Sequence, residues 1–262
     1  MGYSGQCNQG LQLVGDSGVP IGMNIQKNTL AFPYQTLGEE IANAILHGLG
    51  VLLGTAGLVL LVLRGQGLLG GIGGGGRAIT IYVIFAAAMI GMFLASTLYH
   101  AMQHPGAKRI LRILDHQAIY LFIAGTYTPL CLLGLRGSLG RTLFAFEWAL
   151  AITGIVLYGI NFKALKKVEL AVYLLMGWAV VAGCIPLVRA LSLPSLIFFA
   201  AGGIFYTLGT LWYAAGRRRL ARFNSGNRLP GQKKSDRGAH VTWHVFVLAG
   251  ALCHWWSIWF MS

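Results

Sequence analysis

A chain of 262 residues with 56% in the hydrophobic set, 10% charged and a mean hydropathy of +0.65 lies outside the balance of soluble globular domains. Its formal charge of +13 does not mark a nucleic-acid binder, because the cations sit in short connections between apolar runs rather than on a soluble face interleaved with aromatics. The composition is that of an integral membrane protein.

Residues 1–38 are rich in Gly, Gln and Asn and lack the basic start and apolar core of a signal peptide, so a flexible cytoplasmic tail is expected there and a membrane domain over 39–262. Seven apolar runs follow, at 41–64, 78–102, 110–135, 139–161, 168–190, 194–215 and 240–260, each close to the ~20 residues that cross a bilayer as a helix. The expected fold is all-α, a seven-transmembrane helix bundle. Gly, Pro and Thr inside these runs, as in AGTYTPL (124–130), are tolerated in lipid because neighbouring helices satisfy the freed backbone groups.

Lysine and arginine set the expected orientation. With the N-terminus cytoplasmic and the C-terminus outside, the inner segments hold fifteen cations and the outer loops five. Trp255, Trp256 and Trp259 then fall at the outer end of the last helix, where amphipathic rings favour the interface. The inner segment from Arg217 to Gly238 carries eight of the cations and reads as a topology determinant. Anionic lipid headgroups are its expected partner, at about 1 kcal/mol per juxtamembrane cation.

Three signals carry no function. GQGLLG (65–70) matches a dinucleotide fingerprint in letters, but it follows a membrane helix instead of a strand and runs on into further glycines. The last span contains no lysine for a retinal Schiff base. Cys7, Cys131, Cys184 and Cys253 show no paired spacing, so packing is their expected role.

The polar residues inside the spans are the informative ones, since ionisable groups in a membrane are costly. Glu40 and His47 fall at the inner start of the first helix, and Ser96 and His100 at the inner end of the second. Asp115 falls at the inner start of the third, and His240 and His244 at the inner start of the last. Four helices thus present polar groups at one level. In HVTWH the two imidazoles are four residues apart and share a helix face; Ser96 and His100 repeat that spacing, and Glu40, Asn43 and His47 lie on one stripe. Three histidine nitrogens suit zinc, with a fourth position left for water whose pKa the ion lowers towards ~7. Asp115 is the carboxylate best placed to activate that water, and Ser96 to orient a ligand or polarise a carbonyl. Glu147, inside the fourth helix, reads either as a buried hydrogen-bond partner or as part of a proton path.

Glu40-x-x-Asn43-x-x-x-His47, Ser96-x-x-x-His100 followed by Asp115, and His240-x-x-x-His244 resemble the three motifs of the hemolysin III and adiponectin-receptor superfamily, also called the progestin and adipoQ receptor family. EEIANAILHGLG, STLYH, LDHQAIYLFIAGTYTPL and HVFVLAGALCH resemble its bacterial hemolysin III branch most. The resemblance runs from residue 39 to 256. It implies a seven-helix, N-inside protein of the bacterial inner membrane, with zinc on His100, His240 and His244 and with Asp115 near the metal through water. One departure is Val241, which stands where bacterial members carry an acidic residue. His104, His116 and His254 have no counterpart in the motifs and are expected to be structural or interfacial.

Three functions fit these residues. The first is a zinc-dependent hydrolase of a lipid amide or ester bond, ceramidase-like, serving membrane lipid homeostasis. The second is a non-catalytic, zinc-stabilised regulator or receptor of membrane state. The third is a pore-forming hemolysin, which seven hydrophobic runs without a secretory signal suit less well. Oligomeric state is not encoded in any of these motifs.

Overall fold

The computed structural model describes residues 35–69, 74–135, 137–160, 168–224 and 238–261. The expected tail up to residue 34, Cys7 and the basic connection 225–237 lie outside the described residues. Among the described residues there are helices and turns and no strands, so the glycine fingerprint has no strand to follow. Gly67 instead takes a positive φ of 81° in the turn that ends the first helix.

The helices are α1 (Leu37–Gly65), α2 (Gly75–Ala101), α3 (Pro105–Pro129), α4 (Gly137–Ile160), α5 (Glu169–Trp178), α6 (Cys184–Ala190), α7 (Leu193–Asn224) and α8 (Ala239–Trp259). A π turn over Leu130–Leu135 prolongs α3, and a 3-10 turn over Ala179–Gly183 joins α5 to α6. Seven membrane-crossing lengths result, with α5 and α6 forming the fifth. The protein is a multi-pass membrane protein. Its outward faces carry large apolar side chains, among them Leu52, Ile152 and Leu175, as a lipid-facing surface requires.

Caps place the helix ends that matter. Thr36 and Glu39 form a capping box, with Glu39 N–H donating to Thr36 Oγ1 at 3.2 Å and Thr36 N–H donating to Glu39 Oε2 at 2.7 Å. This starts α1 one turn earlier than the apolar run alone suggests and brings Glu40 into the helix. His104 caps α3 by accepting from Ala107 N–H, with Pro105 at the first helical position. Only Met102, Gln103 and His104 separate α2 from α3, so these helices are tightly joined antiparallel neighbours. α7 continues past the expected boundary at 215, because Arg, Leu and Ala in RRRLARFN are good helix formers.

α1 packs on α2 and α8, α8 on α7, and α3 between α2 and α4. Small residues allow the close approach. The buried face of α1 carries Asn43, His47, Gly50, Gly54, Gly57, Leu61 and Gly65. A Cβ on Gly50 would meet the Phe93 ring at 2.6 Å, and one on Gly57 would meet Trp255 Nε1 at 2.5 Å. Trp255 is therefore a core residue, 6% exposed, and departs from the interfacial role expected of it, whereas Trp256 is 42% exposed.

The aromatic Tyr127 hydroxyl bridges α3 to the irregular fifth span. It lies 2.9 Å from the carbonyl oxygens of Met176 and Gly177, to which it donates, and accepts from Val180 N–H at 2.9 Å. These are the backbone groups that the change from α5 to the 3-10 turn leaves without regular helical partners.

Candidate metal centre

Alternating helix direction gathers the start of α1, the end of α2, the start of α3 and the start of α8 at one end of the bundle. The expected common level is thereby observed. His100, His240 and His244 each bring one ring nitrogen within 4.8 Å of the others. His100 is fully buried and His244 is 3% exposed. Their Nε2 atoms are 3.1 Å apart. Tetrahedral coordination with metal–nitrogen bonds of about 2.0–2.1 Å implies a ligand separation of roughly 3.3 Å, so this pair already has nearly the required spacing. His240 Nε2 is buried and has no partner among the described residues, which is costly for a polar atom unless something else binds it.

Each of the two buried ligands is held from α1. His100 Nδ1 meets Glu40 Oε2 at 2.7 Å, and the other carboxylate oxygen, Oε1, accepts from Lys108 Nζ at 2.9 Å. His244 Nδ1 meets His47 Nε2 at 2.6 Å. Such contacts are the usual means by which a protein fixes the tautomer and orientation of a metal-binding imidazole.

The rings have two consistent proton arrangements. Glu40 draws the Nδ1 proton of His100, leaving a lone pair on its Nε2. If His47 Nε2–H donates to His244, then His244 Nε2–H donates to His100, and the chain closes without an ion. If His244 Nδ1–H donates to His47, two lone pairs on His244 and His100 face each other beside the unpartnered His240 nitrogen. Only a cation reconciles the second arrangement. A neutral three-imidazole set with one residual coordination position fits zinc chemistry.

Asp115 lies beside Ser96 and within the electrostatic reach of His100. Ser96 is fully buried, and its Oγ meets no described residue in hydrogen-bond geometry. Asn43 is buried on the same stripe and donates from Nδ2 to Gln35 Oε1 at 3.2 Å. The supporting trio of α1 is thus two supporters of ligands, Glu40 and His47, and one residue that braces the helix start.

Lys108 is the functional residue that sequence reasoning missed. Its position among basic neighbours assigned it to topology, yet it is 6% exposed and neutralises Glu40 while lying 5.1 Å from the Tyr99 ring centroid. The remaining histidines have partners away from this cluster. His116 pairs with Glu169 at 3.0 Å and stacks on Tyr158, and His254 stacks on Tyr206 against Gly202.

Comparison with known proteins places this geometry. The profile of the family described as Haemolysin-III related matches residues 35–255. The chain is 36% identical to "Hemolysin-3" of Bacillus cereus over 217 residues, covering 83% of this chain and 89% of that protein. It is 38% identical to "Hemolysin-3 homolog" of Bacillus subtilis (strain 168) over 216 residues, covering 82% and 91%. It is also 28% identical to "Monocyte to macrophage differentiation factor" of Homo sapiens over 183 residues, covering 67% and 68%.

Proposed function

The chain belongs to the haemolysin-III related family of membrane proteins, and on that premise we propose that it is an inner-membrane, zinc-dependent hydrolase of a lipid amide or ester bond. Its histidine end faces the cytoplasm, and its activity serves membrane lipid homeostasis. The observation that carries this reading is the convergence of three imidazoles with a buried, unpartnered His240 nitrogen, near the Asp115 carboxylate and the buried Ser96 hydroxyl beside it.

His100, His240 and His244 would hold the ion, which when bound would supply Lewis acidity and water activated at neutral pH. Glu40 and His47 keep the Nε2 lone pairs of His100 and His244 directed inward, and Lys108 keeps Glu40 ionised. Ser96 Oγ donates to the carbonyl oxygen of the scissile bond. Asp115 accepts the proton released as water adds to the acyl carbon and returns it to the departing amine or alcohol as the C–N or C–O bond breaks. A site at headgroup depth between helices receives a lipid sideways, with its chains remaining in the bilayer.

A second reading is favoured by one feature: both buried ligands are braced by α1. Metal binding therefore fastens α1, α2 and α8 together, which suits a non-catalytic regulator of membrane state. Metal analysis of the purified protein beside lipidomics of a deletion strain and an Asp115→Ala strain separates the two. Stoichiometric zinc with a lipid substrate accumulating in both strains supports the hydrolase. Zinc without any change in lipid composition supports the regulator, and absence of zinc overturns both. Dye leakage from liposomes at physiological protein density would instead indicate a pore.

A further inference from the structure

A second chemical centre lies away from the histidines, in the middle of α4. Glu147 is 0% exposed, and neither carboxylate oxygen has a hydrogen-bond partner among the described residues. It occupies the same buried stripe as Gly140, Leu143, Ala151, Gly154 and Tyr158. It is ten residues from one end of α4 and thirteen from the other, about 15 Å and 20 Å at ~1.5 Å per residue, which puts the carboxyl near the centre of the apolar slab. An ionised, unpaired carboxylate there is strongly disfavoured, whereas a neutral carboxylic acid is tolerated.

Its titratable neighbours are Tyr127 and Cys131, from α3 and the π turn. No cationic side chain pairs with it among the described residues. Cys131 also lines a cavity of about 410 Å³ together with Gly74, Arg77, Leu132, Gly137 and Arg141. Arg77 stands 23 residues before His100 on α2, about 35 Å along the axis, so this cavity is at the end of the bundle opposite the histidines. A volume of that size holds water. Gly140, two buried-stripe positions before Glu147, sits so close that a Cβ would overlap the Cys131 carbonyl oxygen. Cys131, which lines the cavity and neighbours the carboxyl, lies in the π turn Leu130–Leu135, an irregularity frequent at functional sites.

We propose that Glu147 is a proton-exchange site, a neutral carboxylic acid at mid-membrane that gives its proton to, and takes it from, water in the cavity at the non-histidine end. In the forward step the O–H bond breaks, the electron pair stays on the carboxylate, and water leaves with the proton; the reverse restores the acid. The site is separate from the histidine centre and does not depend on its chemistry.

Infrared difference spectroscopy of the full chain in lipid bilayers at neutral pH tests this. The wild type minus Glu147→Gln spectrum is expected to contain the carbonyl stretch of a protonated carboxyl, which moves to lower frequency after transfer to D₂O. Absence of the band, or a band that does not move in D₂O, overturns the proposal. Should Glu147→Gln fail to fold, Glu147→Asp is expected to displace the same band, and an unchanged spectrum overturns the proposal equally. Leu132→Trp, which fills the cavity, is expected to slow the D₂O shift at least tenfold, and an unchanged rate excludes the cavity as the route.

Discussion

His47 and His244 meet at 2.6 Å, Nε2 to Nδ1, across the contact of α1 and α8, with their rings at 82° to each other. With His244 as a metal ligand, this edge-on contact would make His47 its orienting partner, outside the candidate set of His100, His240 and His244. His47→Ala is accordingly expected to weaken metal binding by about 10–100-fold without abolishing it, whereas His240→Ala abolishes stoichiometric binding. Chelator competition on the two purified variants measures the difference, and equal losses would remove the distinction.

Glu40 and Lys108 form a nearly buried pair, so deleting one partner leaves the other uncompensated. Glu40→Ala and Lys108→Met are each expected to destabilise the protein by roughly 3–5 kcal/mol at most, and the double variant by less than their sum. Thermal unfolding in detergent, read as a double-mutant cycle, checks this. Simple additivity would show that the pair does not act as a unit.

How much of this was legible beforehand depends on what each residue must satisfy. The spans were legible because a bilayer demands long apolar runs whatever their packing, and the shared depth of His100, Asp115, His240 and His244 followed from alternation of helix direction. His240 and His244 were legible because helical spacing alone puts them on one face. Lys108 was not, since burial of a lysine stem and its pairing with a residue 68 positions away are tertiary facts. Burial of Trp255 was not legible for the same reason: an aromatic type does not reveal which neighbour fills the space beside it.

Asp115 and Ser96 belong to the chemistry in the hydrolase reading but not to the three-nitrogen set. Asp115→Ala is expected to retain zinc and to lose about 10²–10⁴-fold in lipid turnover. Ser96→Ala should also retain zinc while losing turnover. Metal content and product formation measured on the same sample decide the point, and loss of zinc in either variant would reassign that residue to metal retention.

Gly50 faces Phe93, whose ring in turn lies 5.0 Å from His47. Gly50→Val is expected to separate α1 from α2, lower the unfolding midpoint and loosen metal retention together, because the displaced ring pushes on the brace of His244. Gly91, which is exposed, and the half-buried Gly203, both with nothing within 4 Å of an added Cβ, are the controls, and their alanine variants are expected to leave metal content unchanged.

The hydroxyl of Tyr127 has a mechanical consequence. One oxygen on α3 stands in for a missing stretch of helical ladder on the fifth span, engaging Met176, Gly177 and Val180 at once. Sliding of that span along α3 must break all three contacts together, while rotation about the hydroxyl can keep them. Glu169 and Tyr173 bind His116 of α3 at the start of the same span, so the fifth span is tied to α3 at two heights and a piston stroke along α3 is opposed at both.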